Sequence, residues 1–231
     1  LRDPQLRARV KADRGREDRS WENQYLGAGG AGGVLIVSVV NPALKKYEGR
    51  TLEQIAKDEG KDPVDVIMDV LIADRANTSN VIFMMSEDDV RLALKHPLVS
   101  MCTDSGAKAT DGIFSLERSH PRAFGSAARI LGRYVREEKL LPLEEAVRKM
   151  TSLPASRMGL VDRGIVRPGM LADLVAFDPE TVKDKATFEN PLQYSEGIPY
   201  VAVNGQLVVD EGRITAARPG RALYGPGYRV P

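Results

Sequence analysis

Cysteine and histidine are scarce in this chain, one and two among 231 residues. One cysteine excludes an internal disulfide framework, and without partners it makes no Cys-rich metal knot. Aromatic residues amount to 6%. No run approaches the roughly 18 consecutive apolar residues of a membrane-spanning helix. The first twenty residues carry seven basic and four acidic side chains and lack the apolar stretch of a secretory signal. Neither sign of charge is in excess: 33 Lys and Arg face 32 Asp and Glu, a formal charge of +1. Such a balance gives no electrostatic basis for binding nucleic acid or an anionic membrane surface. The expectation is a soluble protein of a reducing compartment, the cytoplasm, with neither nucleic acid nor membrane as a partner.

What is present is a globular composition, with 42% hydrophobic residues, enough to bury a core and exclude global disorder. The chain opens at Leu1 inside a charged, helix-like stretch, which leads to the expectation of a piece of a longer polypeptide. Val34-Leu-Ile-Val-Ser-Val-Val40 is apolar but for one Ser, the pattern of a strand covered on both faces and typical of a parallel sheet. Thr51-Leu-Glu-Gln54 and Ser86-Glu-Asp-Asp89 have the spacing of capping boxes, and Asp62-Pro63 places a capping acid before a first-turn proline. The helix after Asp62 sets Val64, Ile67, Met68 and Leu71 on one face. Leu98 to Cys102 reads as a second short buried strand, ending at Thr103-Asp104-Ser105-Gly106. Ser126–Glu138 and Pro142–Met150 follow as helices. This alternation predicts parallel α/β structure up to about Met150.

Beyond Pro154 the texture changes to short strands at Leu171–Phe177, Tyr200–Val203 and Gln206–Val209. The last two are joined by Asn204-Gly205, the strongest two-residue hairpin signal. Residues from Ala217 onward are rich in Gly, Pro and Arg and predict irregular coil.

Asp104 is the most pointed residue, because it directly follows the expected buried strand Leu98–Cys102 and opens a loop containing Gly106 and Gly112. Functional groups of parallel α/β folds gather at the carboxyl ends of strands. A carboxylate there serves as metal ligand or general base, or it merely caps the next turn. His120 lies in the loop after Asp104, at a site mouth or in a structural loop. His96, in Lys95-His-Pro97, fits a helix end better than a ligand, and Cys102 reads as core filler. Two histidines without an HxH pair make no closed zinc site. The glycine-rich Gly27–Gly33 is not a phosphate loop, since it precedes a strand instead of following one.

Two stretches resemble a known family. Gly169-Met-Leu-Ala-Asp-Leu-Val-Ala-Phe-Asp178, with Val201-Ala-Val-Asn-Gly205 and Val208-Val-Asp-Glu-Gly212, resembles the C-terminal end of metal-dependent amidohydrolases. Thr103-Asp-Ser-Gly106, His120-Pro-Arg-Ala-Phe-Gly125, Leu131-Gly-Arg-Tyr-Val-Arg136 and Met150-Thr-Ser-Leu-Pro-Ala155 are similar to the N-acyl-D-amino-acid deacylases (D-aminoacylases) of that superfamily. Trp21-Glu-Asn23, Gly49 to Ala56, Asp178 to Val182, Ala186 to Pro191 and Pro219-Gly-Arg221 extend the likeness over nearly the whole chain. The family usually has Ser-Asp-Gly where this chain has Thr103-Asp104-Ser105.

The resemblance implies an α/β fold, the C-terminal part of a TIM (β/α)8 barrel over residues 1–155 with a helical insertion at about 51–95. Strands of a small β-sandwich and a tail follow over 156–231. It implies zinc as cofactor, bound mainly by Cys and His residues upstream of this chain, with Asp104 as the catalytic base and a candidate ligand. The implied reaction is hydrolysis of N-acyl-D-amino acids to a carboxylate and a D-amino acid. Arg118 and Arg122 are candidates for binding the substrate carboxylate, with Tyr47 and His120 as further contacts; the alternatives are that Arg122 braces the loop, Arg118 is solvated and Tyr47 packs on the following helix. The implied partner is the N-terminal half of the same enzyme or a completing subunit. Two alternatives stand beside it: a non-catalytic fragment or subunit lacking the metal ligands, and an amidohydrolase of cyclic amides.

Overall fold

The computed structural model describes residues 1–17, 20–116, 119–225 and 227–228. They form two compact units, Leu1–Ser86 with Ser115–His120, and Glu87–Phe114 with Pro121–Pro231.

The first unit begins with α1 (Pro4–Asp13), capped by the Asp3 side chain, which accepts from the Gln5 N–H at 2.7 Å. None of its residues is buried. A single turn, α2 (Gln24–Gly27), precedes β1 (Val34–Ser38), whose first four residues are buried. The chain turns back through Pro42–Tyr47 into β2 (Arg50–Thr51) and α3 (Leu52–Glu59). The predicted capping box is present, with Thr51 and Gln54 bonded reciprocally, and Gly60 ends the helix in the left-handed conformation at φ 63°. Asp62 caps α4 (Pro63–Ala73) by accepting from the Val64 N–H. The chain then forms β3 (Ser79–Ile82), and the sheet order is β2-β1-β3.

Both pairings of β1 are antiparallel, not parallel as its apolar run suggested. Burial on both faces reports what covers a strand, whereas neighbour direction depends on the connections. The connection from β1 to β2 is residues 39–49, short 3₁₀ turns at Pro42–Tyr47 that bring the chain straight back, without the packed helix that usually makes a parallel crossover. Of the expected face of α4, Val64 and Met68 are buried while Ile67 and Leu71 are only half-buried, and Val66 and Val70 are buried instead. Ile36, Leu52, Ile55, Val66 and Val70 form the core of this unit. Buried Asp74 closes the loop after β1, accepting from the Val40 and Asn41 N–H groups at 2.9 and 2.7 Å and from the Thr78 hydroxyl at 2.8 Å.

The second unit opens with α5 (Glu87–Lys95). Leu98–Cys102, expected as a buried strand, forms no strand, and Leu98 and Cys102 are exposed. Among the described residues no strand pairs with it. An apolar run becomes a strand only where neighbours complete its ladder. Cys102 is accordingly not core filler. Helix α6 (Arg122–Arg129) runs into a π-helix, Ile130–Glu137, which ends with the Glu138 N–H donating to the Arg133 carbonyl at 2.8 Å. Helices α7 (Leu143–Met150) and α8 (Ser152–Arg157) follow.

The C-terminal sheet has the order β4-β5-β6-β7, all antiparallel, with β4 Leu174–Ala176, β5 Tyr200–Val203, β6 Gln206–Asp210 and β7 Arg213–Ile214. Asn204 and Gly205 turn the hairpin with φ 48° and 79°, the positive pair that a type I′ turn demands. Leu131, Tyr134, Ala146, Leu94 and Val182 are the centre of this unit's core. Beside it, Arg91 and Arg133 converge on Glu138 at 2.8 and 2.9 Å. Among the described residues no helix is long and apolar enough to cross a membrane.

Candidate functional site

Asp104 stands on the irregular stretch after Met101, with φ 47°. A non-glycine residue in the left-handed region is uncommon, and Asp is among the residues that tolerate it best. The local bonds are short-range: the Asp104 N–H donates to Cys102 Sγ at 3.4 Å and the Ser105 hydroxyl donates to the Gly106 carbonyl at 3.1 Å. The carboxylate is 84% exposed and meets Arg122 Nη2 at 3.1 Å. Arg122 is the first residue of α6, so the helix start places the guanidinium against the carboxylate. The pair is open to water and contributes on the order of 0–1 kcal/mol. It can therefore exchange partners at little cost.

Of the residues singled out from the sequence, the structure thus brings Asp104 and Arg122 together. Arg118 lies outside the described residues. His120 is half-buried and belongs to the first unit. Tyr47, also in the first unit, is buried and donates its hydroxyl to the Glu59 carboxylate of α3. Burial, then the bond to Glu59, pushes the Tyr47 phenol up, while the Tyr47 and Lys46 hydrogen bonds hold the Glu59 carboxyl down. The Tyr47 hydroxyl therefore has a structural partner within its own unit. His96 follows α5, where its Nδ1 accepts from the Leu98 N–H at 3.3 Å.

Sequence reasoning missed Lys149, which is fully buried in α7 with its ammonium on the carbonyls of His96 and Val99. The signal was its spacing of three from buried Ala146, which puts both on one helix face. Among the described residues no group of three or more His, Cys, Asp or Glu side chains is gathered as a metal requires. These residues therefore do not by themselves fit a metal ion, and the Asp104 carboxylate is turned to a cation. A groove of about 580 Å³ in the second unit is lined mainly by apolar groups, among them Leu131, Met150, Ile165, Val175 and Phe177, and neither Asp104 nor Arg122 lines it.

The D-aminoacylase of Alcaligenes xylosoxydans xylosoxydans is 42% identical over 178 residues, 77% of this chain and 34% of that protein. The N-acyl-D-aspartate deacylase of the same organism is 39% identical over 183 residues, 79% of this chain and 34% of that protein. Among solved structures, the N-acyl-D-glutamate deacylase of Bordetella bronchiseptica superposes with a TM-score of 0.68 at 35% identity, over 81% of this chain and 37% of that one. It was solved with zinc and a phosphonate inhibitor that mimics the tetrahedral intermediate. The chain spans about a third of the length of the curated relatives it matches. Its residues 11–209 match the amidohydrolase family, and the chain belongs to that family, with D-aminoacylases and N-acyl-D-amino-acid deacylases among its relatives.

Proposed function

We propose that this chain carries the proton-transfer carboxylate of an N-acyl-D-amino-acid deacylase, which splits the amide into a carboxylate and a D-amino acid. The observation that carries the reading is Asp104, a water-accessible carboxylate in the left-handed region beside the cation Arg122, in a chain matched to the amidohydrolase family. Residues 1–155, with the insertion at about 51–95, supply the C-terminal part of a (β/α)8 barrel, and 156–231 supply strands of a small β-sandwich. Zinc belongs to the proposal for the complete enzyme only, held chiefly by residues outside this chain. A cytoplasmic setting belongs to the same proposal.

Asp104 takes a proton from the attacking water and returns it to the leaving nitrogen, since an alkylamide anion is too basic to depart unprotonated. Arg122 exchanges Asp104 for the α-carboxylate of the substrate, which its planar fork binds through two parallel hydrogen bonds. Arg118 is proposed as a further substrate contact.

The test uses the native protein purified from its source, with added zinc, against N-acetyl derivatives of D- and L-amino acids, scoring the free amino acid by chiral chromatography. D-selective hydrolysis is expected, with a loss of about 10²-fold or more in kcat for Asp104→Asn, the scale of general acid–base catalysis. Inertness toward every N-acyl-D-amino acid, or an unimpaired Asp104→Asn enzyme, refutes the proposal. A second reading, a non-catalytic subunit, is favoured by the absence of a metal-ligand group among the described residues. The mass of the native protein separates the two: 25.3 kDa is the value of this chain alone, and a mass about twice that supports the deacylase.

A further inference from the structure

The segment that leads to Asp104 is held by side-chain cations. Lys149 donates to the carbonyl of His96 and, at 3.0 Å, to that of Val99. Arg148 Nη2 donates to the Pro97 carbonyl at 2.8 Å, and Arg157 Nη2 to the Leu98 carbonyl at 3.2 Å. Four consecutive carbonyls thus accept from three cations, all on α7 and α8. The connection also runs the other way, because the Met101 N–H donates to the Lys149 carbonyl at 3.1 Å. Three residues further on is Asp104.

Lys149 is the centre of this arrangement. Its side chain has no exposed surface, and its nearest ion-pair partner, Glu145, is 4.0 Å away. An ammonium is costly to bury unless hydrogen bonds answer its charge. Here the short-range answers are the carbonyls of His96 and Val99. Packing alone would be served as well by an apolar side chain of similar length, such as Met. What an apolar side chain cannot do is donate to two carbonyls three residues apart and so fix the path of the backbone between them.

We propose that Lys149 is a positioning residue for Asp104, assisted by Arg148 and Arg157: together they hold residues 96–101 and thereby set where the Asp104 carboxylate stands. The inference rests on the reading of Asp104 as the proton carrier.

The test uses the 231-residue chain with a nitroxide on Cys102, which is exposed, is the sole cysteine and lies two residues before Asp104. Lys149→Met is expected to shorten the rotational correlation time of the label at least twofold. It should also speed amide exchange at Met101 at least tenfold while the π-helix Ile130–Glu137 keeps its protection. An unchanged label overturns the proposal, and so does equal loosening of the π-helix, which is the result of a merely structural role in the core. Arg148→Ala/Arg157→Ala leaves the buried Lys149 in place and keeps the test open should Lys149→Met not fold. It is expected to move the label the same way by a smaller amount, and no movement in it overturns the proposal. The label reports loop order whether or not Asp104 does chemistry, and Asp104→Asn assayed for deacylation tests that chemistry separately. Loss of loop order with a fully active Asp104→Asn enzyme overturns the catalytic half alone.

Discussion

Replacing Gly132 with Ala sets two effects of opposite sign against each other. In an exposed helix interior the change is favourable, because Ala exceeds Gly by about 1 kcal/mol in helix propensity. Gly132, however, lies in the π-helix against the backbone of Val182: a Cβ at this position would stand 2.6 Å from the Val182 carbonyl oxygen and 3.4 Å from Lys183 Cα. The carbonyl cannot retreat freely. It accepts from Arg136 Nη1 at 2.7 Å, and Val182 is itself fully buried. Gly197 already abuts the same residue so closely that a Cβ there would lie 2.5 Å from its nitrogen and Cα.

Overpacking of this kind costs about 1–3 kcal/mol, and displacing a carbonyl from a charged donor adds a part of the roughly 1.5–3 kcal/mol such bonds contribute. The clash therefore outweighs propensity, and Gly132→Ala is expected to destabilise by about 2 kcal/mol. For a chain of this size that is a fall in Tm of roughly 4–8 °C. Urea unfolding and thermal melts followed by circular dichroism measure both quantities. Gly15→Ala is the control: nothing lies within 4 Å of its Cβ position, so a change within about 0.5 kcal/mol is expected. A Gly132→Ala chain as stable as the wild type, or more so, refutes the packing argument.

Helix α1 buries none of its residues and is tied to α4 by Arg7, Lys11 and Arg14 on Asp62, Asp65 and Asp69. Raising salt from 0.01 to 1 M shortens the screening length from about 30 to 3 Å, so amide exchange in Leu6–Asp13 is expected to accelerate several-fold while α4 stays protected; salt-independent exchange contradicts this. Glu138 is held down to about 2 by its hydrogen bonds to Arg91 and then Arg133. A carboxyl depressed in the folded state contributes stability in full above its ordinary value and loses it as pH falls through the folded one. Glu138→Gln is therefore expected to flatten the decline in urea midpoint between about pH 4.5 and pH 2, and an unaltered pH profile counts against the network.

What could be read from the sequence was local. Thr51 and Gln54, Asp62 and Pro63, and Asn204-Gly205 act over two to four residues, and each does in the structure what its spacing predicted. Longer-range inferences fared differently. The Val34 run identified a buried strand but not its antiparallel neighbours, and Leu98–Cys102 has a strand's composition without a strand to pair with. Ile130, Leu131, Tyr134 and Val135 mark one apolar side for either an α- or a π-helix, because residues one, four and five apart fall on the same side in both windings. At the candidate site, Asp104 was singled out as the residue after an expected strand, which the structure does not form, and Arg122 by resemblance. Their 3.1 Å pairing depends on where α6 begins, which apolar spacing does not reveal.

Lys149 exposes the limit of pattern reading most clearly. Hydrophobic periodicity assigns cations to the solvent side, so a lysine in phase with Ala146 looks like an error in the pattern. Its position makes physical sense only with the carbonyls of residues 96–99, some fifty residues earlier in sequence. Removing the ammonium leaves two acceptors without their charged donor in a site that water cannot easily refill, which costs more than the same bonds contribute when formed. Helix α7 therefore serves two purposes on one face: Ala146 packs into the core of the second unit, and Lys149, one turn on, fixes the approach to Asp104. A core that is intact is thereby also a core that holds the carboxylate in place. A substitution at 149 is expected to separate these two properties, and no substitution at 146 can do so.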